Sequence, residues 1–207
     1  MEKDKTTEQD KKAYVGIGGF MFEMAKMFLL AFIIFAPIKI FLFQPFFVQG
    51  ASMEPNFENN QYLIVREFGY KKISIGKEGN ELLAVGPFKK LERQTPIVFR
   101  YPKNPSQYFI KRVIGLPGEK VEIKDGKVII YNEENPDGLT LDETSYLSSY
   151  VKTGPDMTMT LGDDQYFVMG DNRGASSDSR SWGAVPEKDI VGRVLLRAWP
   201  LDKLAIF

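Results

Sequence analysis

Ser52 stands in Gly50-Ala51-Ser52-Met53-Glu54-Pro55, in a chain that contains no histidine and no cysteine. A serine hydroxyl needs a base before it can attack a carbonyl. Without imidazole or thiol, a Ser-His-Asp triad, a Cys-His pair and a His-Glu-x-x-His zinc site are all excluded, and the remaining candidate base is a lysine. Lys111 lies in Tyr108-Phe109-Ile110-Lys111-Arg112-Val113-Ile114-Gly115-Leu116-Pro117-Gly118, among strand-forming residues. It reads in two ways: as an edge-strand lysine that guards against aggregation, or as an ammonium desolvated by apolar neighbours. Bringing a lysine pKa from about 10.4 toward 7 to 8 disfavours its charge by roughly 3 to 5 kcal/mol, after which the neutral amine can take the serine proton. A third segment, Gly170-Asp171-Asn172-Arg173-Gly174-Ala175-Ser176-Ser177-Asp178-Ser179-Arg180, reads as a polar surface loop or as a clamp. In the clamp, Asp178 and Arg180 pair to fix the loop while the Ser176 hydroxyl orients the lysine amine.

These residues need elements to carry them. The stretch Met27 to Ile38, continued by Ile40-Phe41-Leu42-Phe43, is apolar enough for a transmembrane helix over 22–43, which at 1.5 Å per residue is roughly 30 Å long. Glu23 and Lys26 stand one turn apart at its start and can pair. Lys39 can snorkel near its end, and Pro37 is a candidate kink. Residues 1–21 form an N-terminal tail with Lys3, Lys5, Lys11 and Lys12, whereas the first cation after the span is Arg66, so the bias puts the N-terminus in the cytoplasm and residues 44–207 outside it. A cleavable secretory signal fits less well, because the apolar run ends in Phe46-Phe47-Val48-Gln49 and not in small residues.

Beyond the span, Phe46 to Gln49, Tyr62 to Val65, Pro96 to Tyr101, Tyr108 to Ile114, Val121 to Ile123, Val128 to Tyr131, Tyr166 to Met169 and Gly192 to Trp199 read as strands. Lys124-Asp125-Gly126-Lys127 reads as a type I′ hairpin turn. Many short strands without a βαβ rhythm predict a mainly β fold of coiled antiparallel sheet, barrel-like in form. Gly69 to Glu92 and Asn132 to Pro155 read as exposed polar insertions. Lysine plus arginine and aspartate plus glutamate both number 27, so no global field calls for nucleic acid.

The chain resembles the bacterial type I signal peptidases, with a compact domain similar to Gram-positive members. The likeness is carried by Phe41-Leu42-Phe43-Gln44-Pro45 before Gly50 to Pro55, by Ile110 to Gly118, by Gly170 to Arg180 and by Trp182-Gly183-Ala184-Val185-Pro186. The resemblance implies a membrane-anchored serine endopeptidase with Ser52 as nucleophile and Lys111 as general base, and with Ser176, Asp178 and Arg180 supporting the lysine. It implies signal peptides of secreted precursors and the lipid bilayer as partners, cleavage after small residues in Ala-x-Ala sites, and no cofactor. Gln94-Thr95 and Glu119 depart from the family pattern, and Gly50 stands where many relatives place a serine hydroxyl that serves the oxyanion. A different class is suggested by Ser74-Ile75-Gly76-Lys77 and Lys152-Thr153-Gly154, which match the Ser-x-x-Lys and Lys-Thr-Gly of penicillin-recognising enzymes. The Ser-Asp-Asn element of that class is missing.

Overall fold

The computed structural model describes residues 18–35, 43–70, 73–77 and 80–207, in two units, Met1–Leu42 and Phe43–Phe207. In the first, a helix α1, Gly18–Phe35, is long and apolar enough to cross a membrane. Glu23 and Lys26 pair across one turn at 2.8 Å, and the Lys26 ammonium also lies over the Phe22 ring. The helix begins before the expected 22, and Phe43, the last residue of the expected span, belongs to a strand. Pro37 and Lys39 lie outside the described residues.

The second unit is built from β1 (Phe43–Phe47), β2 (Tyr62–Arg66), β3 (Ile73–Lys77), β4 (Asn80–Val85), β5 (Pro96–Tyr101), β6 (Asn104–Gly115), β7 (Lys120–Lys124), β8 (Lys127–Tyr131), β9 (Leu139–Thr140), β10 (Met157–Thr160), β11 (Gln165–Met169), a single-turn helix α2 (Ser179–Trp182), β12 (Val185–Pro186), β13 (Ile190–Trp199) and β14 (Ala205–Ile206). The largest sheet runs β1-β2-β13-β5-β6-β11-β12, with β14 added beside β13. A second runs β10-β7-β8-β9, and β3 pairs with β4 alone. The pairings are antiparallel, and the main path has free ends at β1 and β12, so the expected barrel-like form is an open coiled sheet and not a closed barrel. The β7–β8 turn has Asp125 at φ 52° and Gly126 at φ 81°, the positive angles a type I′ turn requires. Within Gly69 to Glu92, expected as an exposed polar insertion, β3 and β4 pair antiparallel. Ser74 therefore sits on a strand and not at the helix start of a penicillin-recognising enzyme.

Three apolar clusters hold the sheets together. One gathers Val48, Met53, Phe57, Leu63, Val65, Val98 and Val194, and so anchors the chain on both sides of Ser52. Phe57 and Met53 are fully buried, each contributing about 1.5 to 3 kcal/mol relative to exposure. A second contains Ile97, Phe99, Val113, Tyr166 and Val168, with Phe109 and Trp182 packed on its rim. There Tyr101 stacks on Phe109 at 4.6 Å, and Trp182 meets Phe99 at 5.9 Å and Tyr101 at 5.6 Å. The third fills the space under the smaller sheet, with Ile114, Val121, Ile130, Phe167 and Tyr146.

Asn132 to Pro155 is not a free insertion, since Tyr146 and Thr153 within it are buried. Glu119 is also more than a conservative replacement. Its carboxylate accepts from both Arg93 Nη atoms at 2.7 and 2.6 Å, from the Leu116 N–H at 2.8 Å and from Asn132 Nδ2 at 2.9 Å. Burial alone would raise its pKa, but Arg93, the Leu116 N–H and Asn132 hold it below the usual carboxylate range. Its contribution to stability is therefore present above the ordinary glutamate pKa and is lost as pH falls through the folded value. Glu119→Ala is expected to destabilise the domain by about 3 kcal/mol, because it leaves Arg93 partly buried and unpaired. Thermal unfolding at pH 7 checks this. A melting temperature equal to that of the wild type would show that the pair contributes nothing net.

Candidate active site

Ser52 sits on the turn that leaves β1. The turn is tied by the Glu54 N–H donating to the Ala51 carbonyl at 3.2 Å and the Phe57 N–H donating to the Met53 carbonyl at 2.9 Å. Val48 behind it and Met53 ahead of it are both buried, so the turn has apolar anchors on each side of the hydroxyl. Lys111 comes from β6, opposite Ile97 of β5. Its Nζ lies 2.7 Å from Ser52 Oγ and donates to the Ile110 carbonyl at 2.8 Å. The residue is 4% exposed. Burial pushes its pKa down, Asp178 and Asp171 push it back up, and the result is about 8 against an ordinary 10.5. A lysine at that value holds a substantial neutral fraction at mildly alkaline pH and can accept a proton. Of the two readings of Lys111, the edge-strand guard does not fit a side chain this buried.

The loop from Gly170 to Arg180 closes the site from the other side. Asp178, fully buried, accepts from Arg180 Nε and Nη2 at 2.8 Å each and from the Gly170 N–H at 3.0 Å. Burial would raise its pKa, but Arg180 and the Gly170 N–H keep it lowered and ionised. Arg180 also donates through Nη1 to the Gly154 carbonyl at 2.6 Å, which joins the clamp to the end of the 132–155 segment. A Cβ at position 170 would collide with both the Ser52 carbonyl oxygen and Ser176 Oγ, so the loop reaches the nucleophile only because this residue is glycine. Ser176 is placed differently from expectation. The two polar atoms Lys111 Nζ meets are Ser52 Oγ and the Ile110 carbonyl. Ser176 Oγ is buried with no hydrogen-bond partner among the described residues, Lys111 Nζ included.

Residues not singled out from sequence complete the support. Successive strand side chains point to opposite faces. Lys111 enters the cleft while its neighbour Arg112 forks onto Asp171, with Nε to Oδ1 at 2.8 Å and Nη2 to Oδ2 at 2.6 Å. Asn56, four residues past Ser52, donates to the same Asp171 at 2.9 Å. The Arg112 guanidinium lies 4.1 Å from the centre of the Tyr146 ring. Arg173 reaches Glu143 and Thr153, and Glu143 accepts from the Tyr146 hydroxyl at 2.6 Å. Two consecutive cations in one strand, followed far along the chain by an Asp-Asn-Arg run, were the available signal for these partners.

The Ser52–Lys111 pair opens into a cleft of about 370 Å³, walled by Phe46, Val48, Leu63, Val98, Tyr108 and Ile110, with Ser177 at its rim. Its lining is mostly apolar, with Ser52 and Lys111 among its few polar members. Among the described residues no group of His, Cys, Asp and Glu side chains is arranged to hold a metal ion.

The family described as "Signal peptidase, peptidase S26" matches residues 21–199. A probable signal peptidase I-2 from Synechocystis is 32% identical over 186 residues, covering 89% of this chain and 76% of its own. Signal peptidase I P from Bacillus subtilis subsp. natto is 34% identical over 193 residues, covering 86% and 89% respectively. The crystal structure of a signal peptidase I from Enterococcus faecalis V583 shares 34% identity over 51% of this chain and 97% of its own, with a TM-score of 0.42.

Proposed function

Because this chain belongs to the signal peptidase family, peptidase S26, and is a serine endopeptidase that removes signal peptides, we propose that it works through a Ser52–Lys111 dyad and an acyl-enzyme. The observation that carries this reading is the 2.7 Å approach of a buried lysine, with its pKa lowered to about 8, to Ser52 Oγ. With the amine neutral, one N–H is occupied by the Ile110 carbonyl. This leaves the lone pair to take the Ser52 proton. Ser52 Oγ then attacks the carbonyl before the cleavage site, and the protonated lysine returns its proton to the departing amine of the mature chain. In the second step the lysine, neutral again, activates a water that hydrolyses the ester and frees the signal peptide. Asp178, fixed by Arg180, supports the lysine through its charge.

The cleft supports cleavage after small residues. Its mostly apolar lining suits small apolar side chains such as alanine, as the family resemblance implies. The apolar helix α1 fits a single-pass membrane protein. The lysines before it support a cytoplasmic N-terminus with the peptidase unit on the other side. Confining enzyme and signal peptide to one bilayer raises their effective concentration.

The test is cleavage of a secretory precursor bearing an Ala-x-Ala site by purified full-length protein in detergent and lipid. Wild type is expected to cut after the second alanine, with kcat/KM rising as pH increases and reaching half its maximum near the lysine pKa of about 8. Ser52→Ala is expected to leave only background. Equal cleavage by Ser52→Ala would move the nucleophile elsewhere, and a rate independent of pH between 6 and 9 would remove the lysine base.

A further inference from the structure

Asn172 joins the Gly170–Arg180 loop to the nucleophile at two points. Its side-chain Nδ2 donates to the Ala51 carbonyl at 3.1 Å, and its backbone N–H donates to the Ser52 carbonyl at 3.1 Å. Only the NH2 half of the amide can face a carbonyl oxygen, so the contact also sets which way the side chain is turned. The two carbonyls flank Ser52 in sequence, and no other residue of the loop grips both. The Ala51 carbonyl has a second donor, the Glu54 N–H at 3.2 Å, but that bond lies within the turn and moves with it. Asn172 ties the turn to the rest of the domain.

The consequence follows from peptide geometry. A trans peptide is planar, with its C=O and N–H on opposite sides of the C–N bond. The Ala51 carbonyl and the Ser52 N–H belong to one such plane, so holding the carbonyl toward Asn172 aims the N–H away from it. Ala51 and Ser52 both line the cleft into which Lys111 projects. The Gly50 N–H, two residues before that of Ser52, is already spent on Asn59 Oδ1 at 3.0 Å, and position 50 has no side chain to offer. The Ser52 N–H belongs to the attacking residue itself and shares its peptide plane with the carbonyl that Asn172 holds, so its direction bears directly on an oxyanion formed at Ser52.

We propose that Asn172 is the positioning residue that fixes the oxyanion-binding peptide: by holding the Ala51 carbonyl it keeps the Ser52 N–H directed at the point where the scissile carbonyl oxygen becomes negatively charged. The assignment rests on the Ser-Lys reading above. Asn172 touches neither the substrate nor the lysine. Its effect belongs to the transition state and leaves the affinity for uncleaved peptide and the pKa of the base alone.

The experiment compares full-length wild type, Asn172→Ala and Asn172→Asp in detergent and lipid. The aspartate has the same shape, but when ionised it can only accept hydrogen bonds, so it repels the Ala51 carbonyl. Complete removal of an oxyanion donor costs about 10²- to 10³-fold in kcat. Both variants keep the donor and lose its restraint, so a fall of about ten- to a hundredfold in kcat/KM is expected, with KM within about twofold of wild type. A peptide aldehyde, which forms an oxyanion-bearing adduct with Ser52, is expected to bind more weakly by the same factor as kcat/KM. A non-cleavable peptide of the same sequence should bind unchanged. For Asn172→Ala the acid limb of the pH profile is expected to stay near pH 8. Activity within twofold of wild type in both variants overturns the proposal. So does a loss that extends equally to the non-cleavable peptide, which would assign Asn172 a merely structural role. Wild type that neither cleaves precursor nor forms the aldehyde adduct would instead overturn the Ser-Lys reading, and this assignment with it.

Discussion

Lys111→Met is expected to lower cleavage by about 10²- to 10⁴-fold, the range a general base contributes, while leaving the domain at least as stable as wild type at pH 7. The second half of that expectation comes from linkage. In the folded domain the lysine has a pKa of about 8, against 10.5 when unperturbed. Below pH 8 both folded and unfolded chains carry the proton, and the folded chain bears the cost of a desolvated charge. That difference of 2.5 units corresponds to about 3 kcal/mol. Between pH 8 and 10.5 the unfolded chain binds more protons than the folded one, so stability rises with pH across this window and the cost fades. Methionine keeps much of the volume and removes the charge. Urea unfolding at pH 7 and pH 9.5 checks it: the variant should exceed or match wild type at the lower pH and lose that advantage at the higher. A variant clearly less stable at pH 7 would mean that the contacts of Nζ with Ser52 Oγ and the Ile110 carbonyl outweigh the cost of burial. Undiminished cleavage would remove the dyad.

Asp178→Asn should act on stability and on the chemistry together. The carboxylate is fully buried, takes both arms of Arg180 and accepts the Gly170 N–H. An amide of the same shape presents one oxygen where two were used, and leaves a guanidinium whose charge has no counter-ion at that point. Breaking a buried pair from one side costs about 3 to 5 kcal/mol. Asp178 is also the charge that most raises the Lys111 pKa against burial. Its removal is expected to carry the lysine below 8, so the acid limb of kcat/KM moves to lower pH even as the maximum falls. A lower melting temperature with an unmoved limb would show that the aspartate holds the loop without acting on the base.

Composition narrowed the candidate site, since with no histidine or cysteine a serine could look only to a lysine, and the family resemblance then picked Ser52 and Lys111, which the fold brings within 2.7 Å. The strands that position it were legible from alternation and from β-branched residues, and the Asp125-Gly126 turn from its dipeptide. The hairpin of β3 and β4 was not, because glycines and lysines from Gly69 to Glu92 read as a loop while cross-strand pairing decides the backbone. The segment from Asn132 to Pro155 misled for a related reason. Its polar residues find partners 20 to 30 positions away, Thr153 and Glu143 with Arg173, and only folding brings them together. Ser176 was assigned to the lysine from its place in the loop. The direction of its hydroxyl is a matter of rotamer and burial, which spacing does not carry.

The aromatic group beside the dyad also gives the molecule an optical handle. The chain has two tryptophans. Trp199 is 55% exposed, whereas Trp182 packs against Phe99 and Tyr101 with its indole N–H buried and unpartnered. The two indoles therefore emit from unlike surroundings, one close to water and one largely apolar. Trp182 ends the short helix that Asp178 caps, and Tyr101 links it to Phe109, whose ring centre lies 5.4 Å from the Lys111 ammonium. With Trp199 replaced by phenylalanine, the remaining fluorescence would come from inside the catalytic scaffold, and its wavelength would register filling of the cleft or loosening of the clamp without any attached dye.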